Sequence, residues 1–123
     1  MSAAQNNPGG IPTISVAEAA KKQRDATPAL LVDVREPNEH LELRAAGCAM
    51  LPLSQLETRF SELPKDQPLM LICHSGGRSS RATAFLMQQG FSDASNVAGG
   101  MLAWKQAGLP TRSGVLEPGE GDL

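Results

Sequence analysis

Short apolar runs and amphipathic segments alternate along most of the chain. The run at 69–72 (Leu-Met-Leu-Ile) is apolar throughout, which is typical of a strand that is covered on both faces of a sheet. Pro12 lies in the first run, and proline is tolerated in an edge strand. We predict strands at residues 11–14, 29–34, 69–72 and 95–98, with a further short apolar segment at 48–53.

Helix start and stop signals stand between these runs. Ser15 and Ser54 are each followed three residues later by a glutamate, which is the pattern of a capping box at a helix N-terminus. Pro37 suits a first helical turn, and Gly90 and Gly108 suit the position just after a helix. We predict helices at residues 15–25, 36–42, 54–63, 79–89 and 100–107.

Strands that alternate with helices at this spacing indicate an α/β fold, in which a central, mainly parallel sheet is flanked by helices on both faces. A chain of 123 residues is expected to form one domain. We place this domain at residues 11–111. A flexible polar leader is expected at 1–10, and a flexible acidic, glycine-rich tail at 112–123.

Composition narrows the possible partners. A net charge of −2 and an aromatic content of 3% provide no basic stripe and few stacking surfaces, so we expect no nucleic acid partner. No apolar run approaches the ~20 residues that a membrane span needs. The first ten residues lack the basic segment and the apolar segment of a secretory signal peptide. Two cysteines without a disulfide framework suggest a reducing compartment, so we expect a cytoplasmic location.

The segment after the strand at 69–72 carries the clearest chemical signal. Cys73 ends the apolar run and leads through a glycine-containing turn into the next predicted helix. Backbone N–H groups of such a turn and of a helix N-terminus favour negative charge, which lowers the pKa of a thiol. Ligand sites of α/β sheets lie at the carboxyl ends of strands. Cys73 stands at the end of one predicted strand, and the segment 33–35 stands at the end of the strand predicted at 29–34, so the two loops could lie side by side. We therefore predict Cys73 to be a catalytic nucleophile.

The rest of this loop is predicted to bind an anionic substrate. Gly76 and Gly77 permit backbone conformations that are closed to other residues, so the N–H groups of 75–79 could surround the sulfur. Arg78 offers a planar fork of donors suited to an oxyanion. The predicted substrate-binding residues are His74, Ser75, Gly76, Gly77, Arg78 and Ser79.

Several thiolate chemistries fit these residues. A thiolate held in this way can attack an electrophilic sulfur, phosphorus, arsenic or carbonyl centre. A Cys–His dyad for acyl transfer is disfavoured, because His74 is the sequence neighbour of Cys73 and the other histidine of the chain is His40. The cysteines and histidines show none of the spacings of metal sites, so we expect no metal and no cofactor.

Four segments together resemble the single-domain rhodaneses, a family of thiosulfate sulfurtransferases. These segments are 31–37 (Leu-Val-Asp-Val-Arg-Glu-Pro), 51–54, 73–79 and 97–101, the last followed by Trp104. The similarity extends from about Thr13 to Pro110. It implies a rhodanese-like fold and a persulfide on Cys73, which takes sulfur from thiosulfate or a related persulfide donor and passes it to cyanide or a thiol.

The resemblance leaves alternatives open. Dual-specificity cell-cycle phosphatases and arsenate reductases have similar loops, but theirs carry one residue more than the six from Cys73 to Arg78. A tighter loop suits the terminal sulfur of a persulfide better than a tetrahedral phosphate, so a phosphatase is the weaker alternative. A sulfur-relay protein, which receives sulfur from a partner enzyme's cysteine and serves tRNA or cofactor biosynthesis, uses the same loop and stays open. A non-catalytic interaction module is disfavoured, because such modules often lose the cysteine.

One segment departs from the family pattern. Where the family usually shows Gly-His-Ile-Pro-Gly-Ala, residues 43–48 read Leu-Arg-Ala-Ala-Gly-Cys. We expect Arg44 to be a solvated surface charge, with added positive potential near the site as the alternative. Cys48 is expected to be a buried strand cysteine, with a resolving thiol as the alternative.

Three further expectations concern side chains near the loop. Asp33 and Arg35 are expected to form an ion pair that fixes their loop, with a part in shaping the rim of the active site as the alternative. Trp104 is expected to pack in the core. For His74 two roles stay open, protonation of a leaving sulfite or simple exposure to solvent.

Overall fold

The apolar runs form one central sheet, and the segments between them form its helices. The computed structural model describes residues 5–7 and 10–123. The strands are β1 Gln5–Asn7, β2 Ile11–Ile14, β3 Leu30–Asp33, β4 Arg44–Ala45, β5 Ala49–Met50, β6 Leu69–Ile72, β7 Ala94–Val97 and β8 Thr111–Arg112. The helices are α1 Val16–Gln23, α2 Pro37–Glu42, α3 Leu53–Arg59, α4 Gly77–Gln88 and α5 Gly100–Gln106, and a 3₁₀ turn at Phe60–Glu62 follows α3.

The central sheet has the strand order β1-β2-β7-β6-β3-β5. Within this sheet β1 runs antiparallel to its neighbour, and the other five strands pair in parallel. The predicted α/β class with a mainly parallel sheet is therefore confirmed. The expected leader at 1–10 contains β1 and Gly10, while its residues 1–4 and 8–9 lie outside the described part of the chain.

Helices cover both faces of the sheet, as predicted. Side chains alternate between the faces along each strand. Met70 and Ile72 pack in a cluster with residues of α1 and α5, which include the buried Trp104, whereas Leu69 and Leu71 pack with residues of α3 and α4. Among the described residues, no helix is long and apolar enough to cross a membrane.

Of the five predicted helix starts, those of α1, α2 and α5 are confirmed and those of α3 and α4 are displaced. Ser15 caps α1, because its hydroxyl accepts the Glu18 N–H at 3.1 Å. The capping box at Ser54 is wrong: the Leu53 N–H donates to the carbonyl of Val34 at 2.9 Å, so α3 already begins at Leu53. The helix predicted from 79 begins two residues earlier as α4, because the glycines of the loop take part in its first turn.

Residues of the expected C-terminal tail lie against the domain. β8 pairs with β4, the Gly114 N–H donates to the Leu41 carbonyl at 2.7 Å, and the Met50 N–H donates to the Gly121 carbonyl at 2.9 Å. These contacts tie the segment to the end of α2 and to β5. The domain limit at residue 111 itself stays a prediction.

The expectation for Arg44 is wrong, because this C-terminal segment buries it. The residue is only 1% exposed. Its guanidinium donates to Glu120 Oε2 at 2.8 Å and to the Gly114 carbonyl at 2.9 Å. The local sequence indicated that Arg44 is exposed to solvent, but hydrogen-bond partners 70 or more residues away in the chain take the place of water.

Candidate active site

The chain turns sharply between the end of β6 and the start of α4. Cys73 directly follows the strand, and Gly76 takes a left-handed conformation with φ +114° just before the first helical residue, Gly77. This φ favours glycine, which has no Cβ to clash with the backbone. As a result, the N–H groups of Ser75, Gly76 and Ser79 stabilise negative charge on the Cys73 sulfur.

Two hydrogen bonds reach this sulfur directly. The Gly76 N–H donates to Cys73 Sγ at 3.1 Å, and the Ser79 hydroxyl lies within donating distance of it at 3.2 Å. Burial by itself raises the pKa of the thiol, but the hydroxyl and amide hydrogen bonds outweigh burial and lower the pKa of Cys73 below its usual value. The loop therefore favours the thiolate, which is the nucleophilic form of cysteine.

Asn96 holds the Ser79 hydroxyl from the neighbouring strand. Asn96 lies on β7 opposite Leu71 of β6, and its Oδ1 is 2.6 Å from Ser79 Oγ. Both side chains are buried, so water does not compete for this contact. The sequence patterns did not single out Asn96, although a polar residue inside a predicted buried strand was an available signal.

The N-terminus of α5 supports the loop from behind. The Met101 N–H donates to the Cys73 carbonyl at 2.8 Å, and the Leu102 N–H donates to the His74 carbonyl at 3.1 Å. Gly100 makes this approach possible, because a Cβ there would overlap the Cys73 carbonyl and lie 2.6 Å from the His74 carbonyl oxygen. The second glycine of the segment 97–101 thus positions the loop.

Arg78 is held in an ion pair at the rim of the loop. Its Nη1 and Nη2 donate to Oε1 and Oε2 of Glu39 at 2.7 and 2.9 Å. These hydrogen bonds lower the pKa of Glu39 to about 2. The sequence patterns did not single out Glu39, since 39 residues separate it from Arg78. The role of Arg78 in binding an oxyanion stays a prediction.

The predicted site residues differ in exposure. His74, Ser75 and Gly77 are exposed, whereas Cys73 and Ser79 are buried. The structure therefore brings Ser79 and the loop amides to the sulfur and leaves the His74 and Ser75 side chains at the surface. A part for His74 in protonating a leaving group stays a prediction.

The loop after β3 lies beside the loop that begins with Cys73, here called the cysteine loop, as predicted. Asp33 and Ile72, the last residues of two neighbouring parallel strands, are directly opposite each other. The expected ion pair is present, with Arg35 Nε and Nη2 donating to Asp33 at 2.9 and 2.8 Å. His40 Nδ1 lies 2.8 Å from the same carboxylate, and all three side chains are buried. His40 therefore fixes the rim of the site, a role that the sequence did not indicate.

Cys48 lies apart from Cys73. It is buried just before β5, in the cluster of apolar residues that packs on α1 and α5, while Cys73 belongs to the cluster on the other face. Donor atoms of Cys48, Asp33 and His40 lie within 4.8 Å of one another. Burial and, to a smaller extent, the Asp33 charge raise the pKa of Cys48 to about 12. Cys48 is thus buried, as expected, although it precedes strand β5 and does not belong to it, and the sheet separates it from Cys73.

A cysteine with a lowered pKa, whose sulfur accepts hydrogen bonds from a turn amide and a serine hydroxyl at the carboxyl end of a parallel sheet, is typical of α/β proteins that carry a cysteine loop after a central strand. The model of the rhodanese-like domain family matches residues 15–107. The chain therefore belongs to the rhodanese-like domain family.

Known relatives agree with this assignment. The chain is 40% identical over 91 residues to a sulfurtransferase of Allochromatium vinosum, and the match covers 74% of the chain and 85% of that protein. It is 38% identical over 99 residues to the putative sulfur carrier protein YrkF of Bacillus subtilis, where the match covers 80% of the chain but only 53% of the relative. A crystal structure of a rhodanese-related protein from Thermoplasma volcanium superposes with a TM-score of 0.75 at 31% identity, over 85% of the chain and 98% of that structure.

Proposed function

We propose that this protein moves sulfane sulfur from thiosulfate or a related persulfide donor to a thiophilic acceptor, cyanide or a thiol, through a persulfide on Cys73. Membership of the rhodanese-like family, together with relatives named sulfurtransferase and sulfur carrier, supports sulfur transfer in general. The observation that carries the specific proposal is the convergence of the Gly76 N–H and the Ser79 hydroxyl on the Cys73 sulfur.

The reaction needs two displacements at sulfur. The Cys73 thiolate attacks the outer sulfur of thiosulfate, the bond between the two donor sulfurs breaks, and sulfite leaves with the electron pair. The product is a Cys73 persulfide anion, whose terminal sulfur carries the charge. Cyanide then attacks this terminal sulfur, thiocyanate leaves, and the Cys73 thiolate is restored.

The loop stabilises negative charge in both states of the cycle. The amides of Ser75, Gly76 and Ser79 lower the pKa of the free thiol, and the same donors can hold the terminal sulfur of the persulfide. The six residues from Cys73 to Arg78 leave a tight space, which disfavours a tetrahedral phosphate or arsenate. We therefore expect sulfur transfer to be faster than aryl phosphate hydrolysis.

A second candidate is a sulfur relay for tRNA or cofactor biosynthesis, in which a partner enzyme's cysteine supplies the sulfur. The relative named putative sulfur carrier protein favours this alternative. Both candidates use the same Cys73 persulfide and differ only in donor and acceptor. The proposal includes no nucleic acid or membrane partner, and it includes a cytoplasmic location, which the two free cysteines support.

Intact-mass measurement tests the proposal. The protein is incubated with thiosulfate, and in a second arm with glutathione persulfide, and then treated with cyanide. We expect a mass gain of one sulfur atom with a productive donor, loss of that sulfur with cyanide, and formation of thiocyanate. Cys48→Ala is the matched control and keeps the gain, whereas Cys73→Ser loses it. Thiocyanate formation by the Cys73→Ser protein would contradict the proposal, and a gain from glutathione persulfide alone would favour the relay.

A further inference from the structure

The cationic side chain of the loop is already neutralised. Arg78 and Glu39 share two hydrogen bonds of 2.7 and 2.9 Å, and their side chains are 33% and 29% exposed. Glu39 and, to a smaller extent, the Cys73 charge raise the pKa of Arg78, so the pair lies near the sulfur at the partly exposed rim of the loop. An approaching anion meets one positive and one negative charge, rather than the isolated guanidinium that the loop sequence suggests.

Glu39 is held in place by its own helix as well as by Arg78. Its Oε1 also accepts the Glu36 N–H at 3.0 Å, as part of the capping box at the start of α2. Helix α2 in turn begins shortly after Arg35, whose ion pair with Asp33 fixes the rim. The hydrogen bond from the Glu36 main chain therefore fixes the position of the Glu39 carboxylate in addition to the ion pair with Arg78.

Glu39 carries its charge at neutral pH. The hydrogen bonds from Arg78 lower the pKa of the carboxyl to about 2. Anion binding at the loop consequently depends on the backbone amides and the Ser79 hydroxyl, which act on the single point where Cys73 Sγ lies. Such a site suits one negative charge on a sulfur, whereas the second charge of a dianion would lie closer to the rim and to Glu39.

We infer that Glu39 is a specificity-determining residue that makes the site favour sulfane donors with one negative charge over donors with two. The inference rests on the proposed function and names the donor class, an organic thiosulfonate or singly charged persulfide in preference to thiosulfate. The repulsion between Glu39 and one additional negative charge on a donor is screened by water and salt. We expect it to favour the donor with the lower charge by about three- to tenfold.

The first test needs no sulfur transfer. Iodoacetamide and iodoacetate have nearly the same shape and differ by one negative charge. Both cysteines are buried, but the pKa of Cys73 is lowered and that of Cys48 is raised to about 12, so Cys73 is the reactive thiol. Glu39→Gln keeps the shape of the side chain, and glutamine also serves in a capping box. We expect this variant to raise the rate ratio of iodoacetate to iodoacetamide by about three- to tenfold.

Glu62→Gln is the matched control, because Glu62 is also an exposed carboxylate that accepts two hydrogen bonds from an arginine, Arg59, but lies in the 3₁₀ turn after α3. This variant removes one negative charge and leaves the pair of Glu39 and Arg78 intact, so we expect the rate ratio to change by less than about twofold. An unchanged ratio in Glu39→Gln, or an equal rise in both variants, would overturn the inference.

The second test uses two donors that differ by one charge. Thiosulfate is a dianion, and methanethiosulfonate replaces one of its charged oxygens by a methyl group. In both, the Cys73 thiolate attacks the outer sulfur and the S–S bond breaks, with sulfite or methanesulfinate leaving with the electron pair. We expect Glu39→Gln to raise the kcat/KM of thiosulfate relative to methanethiosulfonate by about three- to tenfold, and Glu62→Gln to leave this ratio nearly unchanged.

The two tests separate the inference from the proposed function. If neither of these donors nor glutathione persulfide adds sulfur to Cys73 of the unmodified protein, the proposed function fails, and the alkylation ratio still decides on Glu39. If sulfur is transferred but both ratios are the same in Glu39→Gln and in the unmodified protein, the charge preference fails and the proposed function stands.

Discussion

Ser79 and Cys73 meet at 3.2 Å, hydroxyl to sulfur, because the first turn of α4 brings Ser79 back over the loop. The hydroxyl has a single proton, and Asn96 Oδ1 lies 2.6 Å away on the other side. Ser79 therefore donates to only one of these acceptors at a time. An ionised Cys73 is the stronger acceptor, so formation of the thiolate draws the proton toward sulfur.

Ser79→Ala is expected to weaken the nucleophile. Burial raises the pKa of Cys73, and loss of the hydroxyl removes the largest of the hydrogen bonds that lower it. A hydrogen bond to a charged group contributes about 1.5–3 kcal/mol, so alkylation by iodoacetamide at pH 7 should slow by about tenfold or more. The pH dependence of the alkylation rate measures the pKa of Cys73, and we expect this profile to move to higher pH in Ser79→Ala.

Ser80→Ala is the control for this prediction, because Ser80 is the next residue of the same helix and its hydroxyl makes no hydrogen bond to the sulfur within the described residues. Its alkylation profile should match that of the unmodified protein. Equal profiles for Ser79→Ala and the unmodified protein would show that the loop amides alone ionise Cys73.

Gly100→Ala is expected to displace the cysteine loop. The substitution is strained by its backbone conformation (φ +55°) and also places a Cβ against the carbonyls of Cys73 and His74. Gly108 is the matched control, since its φ is +70° but nothing lies within 4 Å of its Cβ position. We expect Gly108→Ala to lower the free energy of unfolding by about 1 kcal/mol and Gly100→Ala by about 2–4 kcal/mol, measured by urea unfolding. Equal losses in the two variants would remove the steric role assigned to Gly100.

The cysteine loop could be predicted because its signals are local. The apolar run, Cys73 and the two glycines are close together in the chain, and each constrains the backbone of its neighbours. The position of Asp33 beside Ile72 also followed, because parallel strands end at the same edge of a sheet. The central sheet and its covering helices were accessible in the same way.

Charges with distant partners could not be predicted from local patterns. The local sequence around Glu39 indicates only an ordinary helix residue, and the fold brings Arg78 to it. The local sequence around Arg44 indicates a surface charge, but Glu120 covers it in the structure. Ser54 shows the same limit on a smaller scale. Its capping pattern is intact, but the bond from Leu53 to Val34 fixes an earlier start of α3. In each case a contact between distant segments decides the outcome.

Stability should fall in acid, in part through Glu39. A pKa lowered from 4.5 to about 2 in the folded state means that the carboxylate contributes stability above pH 4.5, and that this contribution is lost as the pH falls toward 2. The side chain is 29% exposed, so screening limits the contribution to about 1 kcal/mol. Urea unfolding of Glu39→Gln should differ from the unmodified protein by this amount at pH 7 and converge with it near pH 2. A difference that stays constant over this range would speak against the ion pair as its source.

Glu120→Gln tests whether the C-terminal segment stabilises the domain through Arg44. Removing the carboxylate leaves the buried guanidinium without its charged partner, and a buried charge that loses its partner is strongly destabilising. We expect a lower urea midpoint and faster proteolysis within residues 112–123. Glu117→Gln is the control, because Glu117 is exposed and lies 3.9 Å from the exposed Arg112.

A double-mutant cycle with Arg44→Met separates the ion pair from the backbone contacts of the same segment. The substitutions Glu120→Gln and Arg44→Met should be less than additive in the free energy of unfolding, since either one alone removes the pair. Full additivity would instead mean that the segment is held by its backbone hydrogen bonds to Leu41 and Met50.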